Sequence, residues 1–286
     1  MEWVDRPWTV ESPDQLDTRW RAALRQYGLE LPPGKTFLYV PPWKRDRRHK
    51  NEERSWLLFD SEDRMMIFES PPDGSMVYHS YPYRNVILVE EGEALLLAWV
   101  CLLGNRGGDR TKVRIEFHSC ALPKLRTYLN RTLRVWGIAS GSEEGTEDPL
   151  FHPAQRDRHF YRRLLDLHLG PNESVESLIY QPRVTSLRGF LRKHVHTLTP
   201  QQMAVQTPFR WILVEDTDGV RNLEYGTRVV SLARAHWEMK AMDDDCLIWR
   251  PSGESPGEKI EMNYPKRASQ FARGGVDPVP HEPAVH

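Results

Sequence analysis

Residues Tyr81–Ser119, YPYRNVILVEEGEALLLAWVCLLGNRGGDRTKVRIEFHS, decide the fold because three segments of strand character follow one another there. The first two segments, Tyr81–Leu88 and Glu93–Leu103, are rich in aliphatic residues. The third segment, Lys112–Phe117, alternates polar and apolar residues at the period of a strand. A turn rich in Gly, Asn, Arg and Asp, Gly104–Arg110, precedes the third segment. This order predicts an antiparallel β-meander.

An amphipathic helix is predicted directly after the meander. Apolar residues recur there at helical spacing and would share one face. They are Leu122, Leu125, Leu129, Leu133 and Trp136. Curled antiparallel strands expose their core at an open end, so a helix with an apolar face is expected to cover that end.

A helix, a strand and a hairpin are predicted ahead of the meander. Ser12 has the hydroxyl of an N-cap, Pro13 suits the first helical position, and Gln15 would complete a capping box. The helix is expected to end at Gly28. The strand and the two arms of the hairpin are Lys35–Val40, Ser55–Phe59 and Met65–Phe68.

Parts of this pattern recur later in the chain. Tyr81-x-x-Arg84-x-Val86-x-Leu88 has a counterpart that begins at Tyr225, a shift of 144 residues. Arg114-Ile115-Glu116 has a counterpart in Lys259-Ile260-Glu261, a shift of 145 residues. Because the matches keep a constant order and a nearly constant shift, they predict an internal duplication.

The order of elements resembles the pleckstrin-homology (PH) superfold, a strongly bent antiparallel sheet with a C-terminal helix across one end. The pattern Arg-x-Val-x-Leu-Val-Glu-Glu-Gly, at Arg84–Gly92, is similar to uncharacterised bacterial tandem PH-like proteins. The resemblance covers about two thirds of the chain. It implies an α+β fold of two tandem, strongly bent antiparallel sheets or partly open barrels. Each would have a preceding helix and a C-terminal capping helix.

The length of 286 residues agrees with two domains. We expect a first PH-like unit with its N-terminal helix at residues 1–136 and a flexible acidic linker at 137–150. A second PH-like unit is expected at 151–273, entered through a helix at Phe160–Leu169. The helix that closes it would be Pro265–Arg273, and residues 274–286 are expected to form a disordered tail.

The overall charge favours neither nucleic acid nor a membrane as a partner. The chain has 39 Lys and Arg against 40 Asp and Glu, a net charge of −1, so such binding would need a local patch. Its longest apolar run, Ala94–Leu103, is too short to cross a bilayer. Three scattered cysteines do not suggest a disulfide framework. We therefore expect a cytoplasmic protein without sequence-specific nucleic-acid binding.

No catalytic, metal or cofactor motif is evident, so none of these sites is predicted. The patterns for serine nucleophiles, phosphate loops, dinucleotide folds and zinc proteases do not occur. The alternative is an enzyme of unknown class with a site between the two units. It would use His118 and Cys120, although Ser119 or Cys120 is also expected to cap the next helix, or it would use His194 and His196.

Two basic segments are the candidate binding residues. They contain Lys44, Arg45, Arg47, Arg48 and Lys50 in the first half, and Arg188, Arg192 and Lys193 in the second. In PH domains the loop between the first two strands binds anionic headgroups, and the resemblance implies the same place here. We expect a non-enzymatic binding or scaffold protein. It would engage a protein partner, with β-augmentation as one mode, or an anionic ligand or membrane surface through these loops.

Overall fold

The computed structural model describes residues 7–28, 36–42, 54–94, 96–106, 109–138, 168–181, 184–188, 194–199, 201–216, 226–242, 246–252 and 259–263. The chain divides into two compact units. Unit 1 contains Met1–Val86 and Glu91–Thr132, and unit 2 contains Ile87–Glu90 and Leu133–His286. The described residues form antiparallel sheets and two α-helices, which confirms the predicted α+β class.

Several predicted segments lie outside the described residues. They are the linker beyond Ile138, most of the helix Phe160–Leu169, the helix Pro265–Arg273 and the tail 274–286. The predicted domain boundaries remain predictions. None of the helices among the described residues is both long enough and apolar enough to cross a bilayer.

Unit 1 begins with a five-stranded antiparallel sheet whose strands follow chain order. The strands are β1 (Trp8–Val10), β2 (Phe37–Val40), β3 (Ser55–Asp60), β4 (Arg64–Ser70) and β5 (Val77–Pro82). The predicted strand and hairpin are confirmed as β2 and as β3 with β4. One face of this sheet packs on the helix α1 (Thr18–Gln26) in an apolar core. The core is formed by Val10, Leu16, Trp20, Leu24, Phe37, Tyr39, Leu57, Phe59, Met66 and Phe68.

The helix α1 begins later than predicted. Ser12 caps only a short 3-10 turn, Pro13–Gln15, and the side chain of Gln15 accepts a hydrogen bond from the Glu11 N–H at 2.8 Å. Asp17 is the true N-cap of α1 because its carboxylate accepts from the Trp20 N–H at 3.0 Å. Gly28 follows the helix with a φ of 63°, which a glycine adopts without strain, so the predicted end is confirmed.

The predicted meander is present as β6 (Val86–Ala94), β7 (Leu97–Arg106) and β8 (Asp109–His118). It differs from the prediction at its start, where a 3-10 turn, Tyr83–Asn85, separates β5 from β6. The helix α2 (Leu122–Val135) follows, and it buries Leu122, Leu125 and Leu129 of the predicted apolar face.

Unit 2 contains an antiparallel sheet in the order β14, β13, β12, β9. Its strands are β9 (Ser177–Gln181), β12 (Gln202–Gln206), β13 (Arg210–Asp216) and β14 (Gly226–Ala233). A separate hairpin, β10 (Val184–Arg188) with β11 (His194–Thr199), lies between β9 and β12 in the chain. The segment Ile87–Glu90 of β6, which belongs to unit 2, is the neighbour of β14 on its outer side.

A second meander follows β14. A 3-10 turn, Arg234–His236, leads into β15 (Trp237–Met242), β16 (Cys246–Pro251) and β17 (Ile260–Asn263). The register of β15 and β16 pairs Met242 with Cys246, so these two strands form a hairpin. The acidic residues between them, Asp243 to Asp245, lie outside the described residues. Among the described residues every sheet has two edge strands, so none of them closes into a barrel.

Among the described residues, both halves of the chain therefore contain an antiparallel sheet, a 3-10 turn and a three-stranded meander in the same order. The part of the sheet ahead of the turn has five strands in the first half and four in the second. The first turn begins at Tyr83 and the second at Arg234, 151 residues later. The shift of 144 residues read from the sequence pairs the end of β5 with the start of β14. It is therefore out of register with the structural elements. The match sets Val86 and Leu88 of β6, which follows the first turn, against Val230 and Leu232 of β14, which precedes the second.

Candidate functional site

Most of the basic residues singled out as a binding site lie outside the described residues. These are Lys44, Arg45, Arg47, Arg48 and Lys50 in the first half, and Arg192 and Lys193 in the second. The backbone of Arg188 ends β10, where it pairs in register with His194 at the start of β11.

The residue that follows the first basic loop is paired with an acid. The guanidinium of Arg54 binds the carboxylate of Glu69 on β4, and the other oxygen of that carboxylate lies 3.4 Å from His79 Nε2 on β5. The Glu69 side chain is nearly buried. This polar cluster was not anticipated, although a glutamate at the end of the apolar strand Met65–Phe68 was a signal for it.

Strand β5 is an edge strand with a different surface on each face. On one face Tyr78 packs against Phe68 and Tyr27, with ring centroids 4.9 and 4.8 Å apart respectively. On the other face His79 lies beside Glu69. Among the described residues β5 has only β4 as a neighbour, so the backbone groups of its other edge point away from the sheet. Val77 at the start of this edge is 40% exposed.

Strand β8 is a longer edge strand with a basic face. It pairs with β7 over its full length of ten residues and has no second neighbour in the described part of the chain. Val113, Ile115 and Phe117 are buried on one face. On the other face Arg114 lies over the ring of Trp99, 4.8 Å from its centroid, and donates to Glu116 at 2.9 Å. Arg110 and Lys112 share that face by strand alternation.

The segment Ile87–Glu90 of β6 is held on the outer edge of β14 by two kinds of contact. Trp237 donates its indole N–H to the carbonyl oxygen of Ile87 at 2.9 Å. Arg228 on β14 binds Glu90 at 3.0 Å and Glu215 at 3.4 Å. Burial alone would lower the pKa of Arg228, but these two carboxylates raise it above its usual range. A charged group and a backbone hydrogen bond therefore hold the segment Ile87–Glu90 on this edge.

In the candidate catalytic pair, the imidazole of His118 contacts the backbone of Cys120. His118 Nδ1 accepts a hydrogen bond from the backbone N–H of Cys120 at 3.3 Å, so the imidazole caps the 3-10 turn Ser119–Ala121. The expectation that Ser119 or Cys120 forms this cap is therefore wrong. His194 and His196 lie on the same face of β11 by strand alternation, and their side chains lie outside the described residues.

Two further polar networks join secondary-structure elements, one within unit 1 and one within unit 2. In unit 1, Tyr83 donates to Asp60, and Arg131 of α2 binds the same carboxylate at 2.7 Å. Burial and the bond to Asp60 raise the pKa of Tyr83 above its usual range. In unit 2, Arg210 and Glu173 form a buried ion pair at 2.6 Å. Because these charges have partners inside the fold, we assign them to stability. No group of three or more His, Cys, Asp or Glu side chains that could hold a metal occurs among the described residues.

No protein-family model matches this chain, and no curated protein matches its sequence. Function is therefore inferred from the strands, charges and contacts of the chain itself.

Proposed function

We propose that this protein is a non-enzymatic binding or scaffold protein of two PH-like units, and that it binds an extended segment of a partner protein as an additional β-strand. The recurring order of an antiparallel sheet, a 3-10 turn and a meander supports the PH-like interpretation of both units. The position of α2 directly after β8 supports a capping helix in the first. The main support for the binding function is that β8 is a long edge strand with a basic face.

The length and chemistry of β8 suit an added strand. Its ten residues offer more backbone groups than the six of β5 or β15. A strand that pairs with this edge places every second side chain on the face of Arg110, Lys112 and Arg114. Three cations against one acid, Glu116, give this face a net positive charge that favours acidic residues at alternate positions of the partner. The same charges disfavour pairing of β8 with another β8, because like charges would face each other.

A labelled peptide of alternating Glu and Val tests this site on the full chain. We expect saturable binding by fluorescence anisotropy that weakens as salt is added, and slower hydrogen exchange of the β8 amides. The variant Arg110→Glu/Lys112→Glu should lose binding. The control variant Arg25→Glu/Lys124→Glu makes the same change of charge at exposed positions on the two helices.

The control variant should bind as the wild type does. A peptide of alternating Lys and Val should not bind to the wild type. Equal loss of binding in both double variants, or unchanged exchange of the β8 amides, would show that the edge of β8 is not the site.

The β10–β11 hairpin favours a second function, the binding of an anionic ligand or membrane surface. Its register places Arg188 opposite His194. In the sequence Arg192 and Lys193 stand between these two residues. A basic hairpin connection attracts anionic headgroups, most strongly at low salt. Sedimentation with phosphatidylserine vesicles tests this, with Arg188→Ala/Arg192→Ala/Lys193→Ala compared with Lys44→Ala/Arg45→Ala/Arg47→Ala/Arg48→Ala. Binding that survives both sets of substitutions would contradict this function.

A further inference from the structure

One strand pairing among the described residues joins the two halves of the chain, and each of its two strands has a counterpart in the other half. In unit 2 the segment Ile87–Glu90 of β6 lies on the outer edge of β14. The ion pair of Arg228 with Glu90 and the hydrogen bond from Trp237 to Ile87 hold it there. Segments distant in sequence therefore pair edge to edge in this fold.

The two strands of this pair have defined places in the recurring order of elements. β14 is the last strand before the 3-10 turn Arg234–His236, as β5 is the last strand before Tyr83–Asn85. β6 is the first strand after its turn, and so is β15. The pairing therefore joins a strand that follows one turn to a strand that precedes the other.

The counterparts of these two strands, β5 and β15, are both edge strands. β5 ends the sheet β1-β2-β3-β4-β5, and β15 begins the sheet β15-β16-β17, in the part of the chain that the structure describes. Each has six residues, so their lengths match. Both edges present backbone N–H and C=O groups that an added strand can use.

The charges on these two edges permit pairing with each other. β5, with the sequence VYHSYP, has no Lys, Arg, Asp or Glu. β15, with the sequence WEMKAM, has one acid and one base, Glu238 and Lys240, which lie 4.0 Å apart. Neither strand has the row of like charges that β8 presents, so charge does not oppose their contact.

We propose that β15 of one copy of this chain pairs with β5 of a second copy, and so repeats the arrangement of β6 and β14 between molecules. The contact is heterologous because it joins two different surfaces. Each added copy then leaves one β5 and one β15 available, so assembly extends along a line or closes into a ring. Six residues per strand make a small interface, so the association is weak and depends on concentration. It also covers the exposed side chain of Val77.

Proline substitutions can block each edge separately. Neighbouring residues of a strand direct their N–H groups to opposite edges. Of two single proline substitutions at adjacent positions, one removes an N–H donor from the outer edge, and the other removes a hydrogen bond to the neighbouring strand of the sheet. His79→Pro and Ser80→Pro are made in β5, and Glu238→Pro and Met239→Pro in β15. For each strand, the variant whose free energy of unfolding equals that of the wild type is the one that blocks the outer edge, and it is used in the assembly measurement. The same procedure with Ile260→Pro and Glu261→Pro on the outer edge of β17 supplies the control.

Sedimentation velocity of the full chain, over two orders of magnitude in protein concentration, measures the state of assembly of each variant. We expect reversible assembly of the wild type and the β17 variant, and a monomer for each blocked variant alone. An equimolar mixture of the β5-blocked and β15-blocked variants should form a 1:1 dimer and nothing larger, because each retains the edge that the other lacks.

A wild type that stays monomeric throughout the range would overturn the proposal. So would assembly that persists in both blocked variants, or a mixture of the two that forms no dimer. The measurement needs no acidic peptide, so it is independent of the site proposed on β8.

Discussion

The indole ring of Trp99 occupies the space where a side chain on Gly92 would begin. A Cβ built on Gly92 would lie 2.0 Å from Cζ2 of Trp99. Arg114 lies over the same ring at 4.8 Å, and the ring is buried. A glycine is therefore required at position 92 of β6, because any side chain there would overlap the Trp99 ring of β7.

Replacing Gly92 with alanine should destabilise the protein. The added methyl group overlaps the Trp99 ring, and overpacking of this kind costs about 1–3 kcal/mol. Urea denaturation followed by circular dichroism measures the change. In a Trp99→Leu background the same substitution should cost less, because the overlapping ring is gone. An equal cost in both backgrounds would mean that the contact with Trp99 is not the cause.

The hydrogen bond from Trp237 to Ile87 should contribute measurably to the stability of unit 2. Trp237→Phe leaves the Ile87 carbonyl without this donor in a buried place, a loss of about 1–3 kcal/mol beyond the change in packing. Trp249→Phe is the matched control, because Trp249 is equally buried and its indole nitrogen has no hydrogen-bond partner among the described residues. Equal losses in the two variants, measured by urea denaturation, would contradict the role of this bond.

Removing Arg210 should be costly because its partner is a buried carboxylate. The side chains of Arg210 and Glu173 are 1% and 0% exposed. Arg210→Met leaves the charge of Glu173 without its cation, which should cost about 3–5 kcal/mol. Arg210→Met/Glu173→Leu should recover part of this loss in chemical denaturation. The exposed pair of Lys240 and Glu238 is the comparison, since Lys240→Met should cost no more than about 1 kcal/mol. Similar losses for the two single variants would rule out a special role for the buried pair.

Stability should fall at high pH because of a buried tyrosine. Burial raises the pKa of Tyr81 to about 12 from its ordinary value of 10.0. Between these values the unfolded chain releases the phenol proton and the folded chain keeps it. The contribution is therefore complete below pH 10 and is lost as the pH rises to about 12. Two units of pKa correspond to roughly 2–3 kcal/mol.

Denaturation at several pH values from 9 upward measures this decline. Tyr81→Phe should show a smaller decline than the wild type, because the group that titrates differently in the two states is absent. Burial also raises the pKa of Tyr128 to about 12, so Tyr81→Phe/Tyr128→Phe should be flatter still. An unchanged slope in the double variant would be inconsistent with these buried phenols.

Local patterns predicted much of the secondary structure. The alternation in Lys112–Phe117 and the hairpin of β3 and β4 are confirmed, as is the spacing of Leu122, Leu125 and Leu129 on α2. The start of α1 was wrong because two competing caps, Ser12 and Asp17, precede it in sequence. Only the folded chain shows which of them begins the α-helix.

The candidate site was less accessible to prediction. The sequence directed attention to the basic loops, whereas the surfaces described here are strand edges. A strand is an edge only if no other segment pairs with it, and that depends on the whole sheet. The same limit applies to Glu69 on β4, which contacts His79 on β5 and Arg54, the residue before β3.

The amino-acid sequence by itself determined where strands and helices form and which faces are apolar, because these depend on neighbours a few residues apart in the chain. Only the tertiary structure decided that Ile87–Glu90 lies beside β14, that Gly92 makes room for Trp99, and that β5, β8 and β15 are edges among the described residues. These relationships join residues far apart in the chain. They arise because strands pair so that their apolar faces are buried, and a local sequence pattern does not specify which strands pair.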